Sequence, residues 1–208
     1  MATGLILIAT ESDTKKLHTL TGCDKSYITT IDLSKMSDTR DAEFWKEYTS
    51  LDAIDFSVQT QAWIADDALL EQKCREFLDS LIPTAHLQVP YFCAKKINGD
   101  KMYDYARKGE LIVKYEDMIV SGYKIISCHY PEIQVEISVG SGTYIRSLAY
   151  ALGQYLGSGG ILTALRRTRI GDFVLAEQVL DQVAMRDEIE INFGVCSIQK
   201  LAIQQSDS

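Results

Sequence analysis

The 208-residue sequence predicts an α+β fold in which a mixed, mostly antiparallel sheet is flanked by helices. Strand-like segments rich in β-branched residues outnumber amphipathic helical segments. No strand–helix–strand rhythm persists along the chain, which argues against a doubly wound parallel sheet. The hydrophobic share of 46% and the charged share of 24% are ordinary for a globular protein. The length is enough for one large domain or two small ones.

The chain opens with MATGLILIAT, an apolar run bounded by Gly and Thr that predicts a buried strand over residues 5–9. No Lys or Arg precedes Lys15, so the charged region of a signal peptide is missing, and the run is too short to span a bilayer. The next strand is predicted at 26–33, where SYITTIDL alternates and is β-branched.

Two helices are predicted in the first half of the chain. A short one runs through TKKLHTL, capped by Ser12 or Asp13 and ended by Gly22. A longer amphipathic one covers 66–82 and is ended by Pro83. Its apolar face at helical spacing consists of Leu70, Cys74, Phe77, Leu78 and Leu81.

The remaining segments complete the prediction. The acidic stretch Asp38–Asp55 has weak periodicity and predicts a loop. Later segments predict a turn at Asn98–Gly99, a helix over 100–109, antiparallel strands over 117–130 and 132–139, a helix over 141–157 capped by Ser141 or Thr143, and a helical turn followed by a strand over 159–171.

Charge is distributed unevenly along the chain. The net charge is -8, yet residues 90–171 hold eleven Lys and Arg against seven Asp and Glu. This segment therefore carries +4 inside an otherwise acidic chain. It fits a nucleic-acid face, and it fits equally a solvated surface without a partner.

Cysteine and histidine usage excludes several classes of protein. The five cysteines are scattered without a CxxC pair, which indicates neither a zinc site nor a disulfide framework. The three histidines show no ligand spacing, so no metal is expected. A reducing, cytoplasmic compartment is the default expectation.

GSGTYIRS is the Gly-rich segment of the sequence. It lacks both GxGxxG and a GK[ST] ending, so it is not a nucleotide-binding loop. It leads into a helix with Tyr144 and Arg146 near the helix start, where free amides and an arginine favour an anion. Arg146 is either a surface residue or a residue of a cleft.

Three segments together resemble the TruB-type tRNA pseudouridine synthases. SVGSGTYIRSLAYALGQYLGSGGILTALRRTRIGDF is similar to the C-terminal hallmark of that family. VPYFCAKKINGDKMYDYARKGE resembles its Pro–aromatic–Ala–Lys segment and YxxAR helix. DKSYITTIDL with SDTRDAEF resembles the strand with the essential Tyr and the T-D-T-x-D segment. The resemblance covers residues 1–175 and implies a pseudouridine synthase fold.

The resemblance also implies roles for individual residues. Tyr27 would stack on the target uridine and Leu165 would pack on the opposite side of the base. Arg146 would pair with the nucleophilic Asp. The remaining substrate-binding residues would be Tyr144, Lys96, Arg107 and Arg166. No cofactor and no metal are implied, and the expected partner is tRNA, modified at its T-loop uridine, with no membrane and no protein partner inferred.

In this family ATG follows a loop that reads Leu-Asp-Pro and one variable residue. The resemblance therefore places the nucleophile two residues before Met1, and the first strand of the catalytic domain before that. Within 1–208 we expect a catalytic domain at 1–175, lacking that strand and loop, and a short acidic extension at 176–208 without the family's PUA domain. Arg146 is then expected to be partly buried and unpaired, which costs roughly 3–5 kcal/mol when a buried pair is broken.

Positions where the chain departs from the family pattern are Phe44 in place of Gly, Cys93 in place of Ser and Ala151 in place of Asp. Three hypotheses follow. The first is an RNA-modifying isomerase whose nucleophile lies upstream of Met1, and the second is an RNA-binding protein without catalysis. The third, an unrelated α+β protein with a basic stripe by chance, is disfavoured by the series of motifs in family order.

Overall fold

The computed structural model of the chain describes residues 2–8, 14–37, 39–40, 42 and 62–175. The proposed caps Ser12 and Asp13, most of the loop over Asp38–Asp55 and the extension at 176–208 lie outside the described residues.

Most of the described strands form one mixed sheet. Its order is β1–β8–β2–β7–β6–β3, with β9 added to β8, and among these pairs only β1 with β8 is parallel. A separate small ribbon pairs β4 with β5. The strands are β1 (Ala2–Gly4), β2 (Lys25–Asp32), β3 (Thr84–Gln88), β4 (Lys96–Ile97), β5 (Asp100–Lys101), β6 (Tyr115–His129), β7 (Glu132–Val139), β8 (Ile161–Ile170) and β9 (Phe173–Val174).

Helices interrupt the strands without a repeating order. A 3₁₀ turn at Ala62–Ala65 precedes the longest of them, which begins after Asp66, whose carboxylate accepts from two backbone amides. The helices are α1 (Thr14–Thr21), α2 (Asp67–Ser80), α3 (Met102–Arg107) and α4 (Ile145–Leu156). The predicted α+β architecture with a mostly antiparallel sheet is confirmed.

Several predicted elements are confirmed at close to their predicted bounds. They are β2, α1, α2, the β6–β7 pair and α4. The predicted apolar face of α2 is buried throughout, from Leu70 at 0% exposure to Phe77 at 7%. Periodicity succeeds here because each element buries one face against the rest of the chain.

Other predictions were wrong, and the cause is sheet pairing. The opening strand lies at Ala2–Gly4 and not over the apolar run, because its backbone pairs with Leu165–Arg167 of β8. No helical turn opens β8, since all ten of its residues are extended between β1 and β2. The predicted helix over 100–109 begins as β5, and the strands β3, β4 and β9 were not predicted.

Both proposed caps of α4 were also wrong. Tyr144 occupies the cap position without a side-chain hydrogen bond. Ser141 donates instead to the carbonyl of Thr21, and Thr143 donates to the carbonyl of Ile119. These two hydroxyls therefore tie the loop before α4 to α1 and β6.

The core lies between one face of the sheet and the helices α2 and α4. Alternate residues of β2 and β7 point to that face, and Ile31, Ile133 and Val135 are all at most 5% exposed. Ile31 is paired with Ile133, so the two strands present their apolar side chains in register. Helix α4 packs against this face of the sheet.

Two glycines, Gly153 and Gly160, bring α4 into backbone contact with the segment just before β8, and a third, Gly159, brings that segment against the chain that follows β2. A Cβ on Gly153 would stand 2.4 Å from the carbonyl oxygen of Gly159, and one on Gly160 would stand 2.3 Å from that of Ala149. A Cβ on Gly159 would meet the carbonyl oxygen of Lys35 at 2.3 Å. The helix can approach β8 this closely only because these side chains are absent.

We predict that Gly153→Ala lowers the free energy of unfolding by about 1–3 kcal/mol, because the new methyl group collides with backbone. The result opposes helix propensity, which favours Ala over Gly by about 1 kcal/mol. Gly122→Ala is the control, since a Cβ there meets nothing within 4 Å. Urea unfolding of both variants measures the difference, and equal stabilities would refute the close contact.

Candidate functional site

Tyr27 and Leu165 lie on the same face of the sheet. Tyr27 pairs with Arg167 of β8, and Leu165 pairs with Thr29, two residues along β2. Side chains two residues apart on a strand share a face, so Tyr27, Leu165 and Arg167 point toward the helices. Tyr27 and Leu165 are partly buried against the core there.

Arg166 points to the opposite face of the sheet. It lies between Leu165 and Arg167 in β8, paired with Ile28 and with Thr3 of β1. Because successive side chains of a strand point to opposite faces of the sheet, Arg166 and Tyr27 lie on different faces. The structure brings together Tyr27, Leu165 and Arg167, and it does not add Arg166 to them.

β1 reaches this cluster through a glycine. Gly4 has φ +103°, and a Cβ there would stand 2.2 Å from the carbonyl oxygen of Arg167. After it, the amide of Leu5 donates to that same carbonyl at 2.8 Å, and Nε of Arg167 donates back to the carbonyl of Leu5 at 2.8 Å. A side chain at position 4 would break this reciprocal pair, which explains the glycine of the ATG segment.

Arg146 lies in the first turn of α4, above β2. Its neighbour Ile145 lines a small apolar cavity together with Thr29 of β2. One terminal nitrogen of Arg146 donates to the carbonyl of Thr39 and the other to the carbonyl of Phe92, both at 2.9 Å. The expectation of an unpaired arginine, with its cost in stability, was therefore wrong.

These two bonds orient the guanidinium of Arg146, because each terminal nitrogen donates to a backbone carbonyl oxygen. A partly buried cation in such a setting stabilises a neighbouring carboxylate or phosphate more than a solvated one does. The site is thus suited to an anion at the first turn of α4.

Arg40 is a second arginine beside this site and was not assigned a role from the sequence. It is 1% exposed, and its two terminal nitrogens donate to the backbone and side-chain oxygens of Gln88 at 3.0 and 2.7 Å. Its guanidinium lies 3.9 Å from the ring centre of Tyr150 and 5.6 Å from that of Tyr91. Such contacts offset the desolvation of a buried cation, which amounts to several kcal/mol.

Tyr144 lies between Arg146 and the segment that holds Cys93. Burial, followed by the nearby thiol of Cys93, raises the pKa of Tyr144 to about 12, against an opposing effect of Arg146. Tyr144 is therefore a neutral phenol at physiological pH and acts as a hydrogen-bond donor rather than as a base.

A basic surface lies on the β4–β5 ribbon and α3. Lys96 is exposed on β4, and Tyr103 of α3 has Lys101 and Arg107 over its ring at 5.2 and 5.0 Å from the centre. Lys95 differs, because it forms an ion pair with Glu116. The hydrogen bond from Lys95 lowers the pKa of Glu116 and keeps this carboxylate charged. Lys96, Lys101 and Arg107 are thus the better placed cations for phosphates.

The described part of the chain shows neither a metal-ligand cluster nor a membrane-spanning helix. Within it, no three His, Cys, Asp or Glu side chains come together as metal ligands. Its helices include none with the length and apolar character needed to cross a membrane.

Residues 1–145 match the model of the TruB family pseudouridylate synthase (N terminal domain). The chain is 34% identical over 180 residues to tRNA pseudouridine synthase B of Phocaeicola vulgatus, covering 85% of this chain and 70% of the relative. It is 33% identical over 193 residues to the protein of the same name from Bacteroides fragilis, covering 91% and 76%.

A solved structure shares the fold at lower sequence identity. A chain in the crystal structure of a Cbf5–Nop10–Gar1 complex superposes with a TM-score of 0.54 at 19% identity, covering 85% of this chain and 39% of that one. The fold is thus the pseudouridine synthase fold that the motifs predicted. The chain belongs to the TruB family of pseudouridylate synthases.

We predict that Gly4→Ala removes the hydrogen-exchange protection of the Leu5 amide, raising its exchange rate on the order of tenfold or more. The added Cβ and the unfavourable positive φ push β1 away from the Arg167 carbonyl. Thr3→Ala, at an exposed position of the same strand, is the control that keeps protection. Amide exchange followed by NMR decides, and an unchanged Leu5 rate would contradict the contact.

Proposed function

We propose that this protein isomerises a uridine of tRNA to pseudouridine, with the T-loop uridine as the target. Its membership in the TruB family and its similarity to proteins named tRNA pseudouridine synthase B support this activity. The observation that carries it in the structure is the position of Arg146 at the first turn of α4, where it donates to the carbonyls of Thr39 and Phe92. Residues 1–175 form the catalytic domain in this proposal.

The reaction breaks the glycosidic bond from C1′ to N1 and forms a bond from C1′ to C5. C5 loses a proton and N1 gains one, so the product is an isomer and no oxidant or reductant is needed. The uridine must leave its stack to be reached. A carboxylate that attacks or deprotonates the nucleoside must stay ionised, and burial alone would raise its pKa. A cation such as Arg146 counters that effect.

Tyr27 and Leu165 are assigned to the base. An aromatic ring stacks on one face of a flipped base, and an aliphatic side chain packs on the other. The register Tyr27–Arg167 and Thr29–Leu165 places both side chains on the face that α4 covers. Tyr144, a neutral donor, is assigned to a hydrogen bond with the nucleotide.

We place the nucleophilic aspartate two residues before Met1, and the register of β1 supports this position. Ala2 pairs with Leu165 in parallel, so continuing backwards brings that position level with Leu162. The backbone of Leu162 is hydrogen bonded to Arg40 and Ala42, so the proposed aspartate would lie close to these two residues. Thr39, which holds Arg146, is the residue before Arg40.

The phosphates of the RNA are assigned to Lys96 and Arg107, with Lys101 beside them. Arg166 remains a proposed phosphate contact, on the opposite face of the sheet. The free thiols of Cys23, Cys74, Cys93 and Cys128 favour the cytoplasm as the compartment.

We predict that the polypeptide from Met1 to Ser208 alone does not turn over a tRNA transcript, whereas one extended at its N-terminus by a strand ending in Leu-Asp-Pro does. The extension supplies a carboxylate beside Arg146. Release of tritium from C5-labelled uridine measures turnover, and Leu-Asn-Pro in the extension is the matched control. Turnover by the unextended polypeptide would refute the assigned nucleophile, and inactivity of both would favour RNA binding without catalysis.

We predict that 1–208 binds a T-stem-loop weakly and with marked salt dependence. Tyr27→Ala should weaken binding by about 1–3 kcal/mol without changing the salt slope, because stacking releases no counterion. Lys96→Ala and Arg107→Ala should each reduce the slope by about one. Arg75→Ala, in α2 and paired with Glu71, is the control with an unchanged slope. Binding titrations at several salt concentrations measure these slopes. If the wild type and all variants had the same slope, the proposed phosphate contacts of Lys96 and Arg107 would be refuted.

A further inference from the structure

Arg40 and Arg146 meet at one peptide group. Arg146 donates to the carbonyl oxygen of Thr39, which belongs to the peptide bond that joins Thr39 to Arg40. Arg40 also has a positive φ of +60°, which a residue with a side chain seldom adopts without external restraint. The direction of the Thr39 carbonyl is therefore tied to whatever holds Arg40.

Arg40 is held from three sides. Its side chain donates two hydrogen bonds to Gln88 at the end of β3 and stacks on Tyr150 of α4. Its own carbonyl oxygen accepts from the amide of Leu162 in β8. Ser147, next to Arg146 in α4, donates to the same Gln88 carbonyl that Arg40 binds, at 2.6 Å. The loop, the end of β3 and α4 thus share one hydrogen-bond network.

We propose that Arg40 is a positioning residue for Arg146. It acts by fixing the Thr39 carbonyl against α4, so that the guanidinium of Arg146 keeps one orientation toward the site. This inference rests on the proposed function only in taking Arg146 as the cation of that site. Because Arg40 is 1% exposed, it does not itself contact the RNA.

The planar fork of arginine is what this role requires. Two parallel donors reach Gln88 while the flat guanidinium stacks on Tyr150, and a lysine can do neither although it keeps the charge. Arg40→Lys is therefore the informative variant. Gln88→Met also loosens the side chain of Arg40, because it removes the side-chain oxygen that accepts from Arg40 and leaves Arg40 itself unchanged.

The first experiment reads the orientation of Arg146 without RNA. In side-chain ¹H–¹⁵N spectra of the full chain, the terminal guanidinium protons of Arg146 should exchange slowly, and Arg146→Lys assigns them. Arg40→Lys and Gln88→Met should each accelerate this exchange by about tenfold or more. Ile133→Ala, a core substitution at 1% exposure on β7, is the control for general loosening.

Two results of this experiment would overturn the proposal. Unchanged Arg146 exchange in Arg40→Lys, or in Gln88→Met if the first variant does not fold, overturns the proposal. Acceleration of equal size in Ile133→Ala also overturns it, because the effect is then one of general stability.

The second experiment is a double-mutant cycle on binding of the T-stem-loop. Arg40→Lys should weaken binding about fivefold, and Arg40→Lys with Arg146→Lys should bind no more weakly than Arg146→Lys alone. Multiplicative losses would show that Arg40 acts independently and overturn the proposal. If Arg146→Lys binds like the wild type, the role assigned to Arg146 in the proposed function fails, while the spectra still decide the role of Arg40.

Discussion

The close approach of α4 to the start of β8 is the constraint on which the candidate site depends. Gly153 and Gly160 allow backbone to meet backbone there, with no side chain between. The same helix carries Tyr144 and Arg146 at its other end. A helix pushed outward by one methyl group would tilt those side chains away from the sheet, since protein interiors transmit such shifts rather than absorb them.

The two arginines beside the site share one electrostatic arrangement in their described contacts. Arg146 is oriented by the carbonyls of Thr39 and Phe92, and Arg40 by Gln88 and two tyrosine rings. Hydrogen bonds to oxygen atoms and contact with aromatic rings fix the plane of a guanidinium group, so each of the two cations is held in one orientation.

Local sequence patterns predicted the elements that bury one regular face. They failed where pairing with strands distant in the sequence determines the secondary structure. The apolar periodicity of α2 and the alternation of β7 could be read directly from the sequence. β8 could not, because ALRR favours a helix locally and becomes a strand only between β1 and β2. The roles proposed for Tyr27, Leu165 and Arg146 come from the family resemblance. Arg40 was missed because its partners Gln88 and Tyr150 lie 48 and 110 positions away in the sequence.

The parallel contact of β1 with β8 has a consequence for the order of folding. The hairpin of β6 and β7 closes over a few residues, whereas Ala2 pairs with Leu165, which lies near the other end of the described chain. Contacts between such distant residues form late, since closing the long loop is entropically unfavourable until the rest is ordered. During synthesis on the ribosome β1 emerges long before β8 and can pair only after β8 has followed it. The sheet face that carries Tyr27 and Leu165 is therefore completed only when synthesis has passed Arg167.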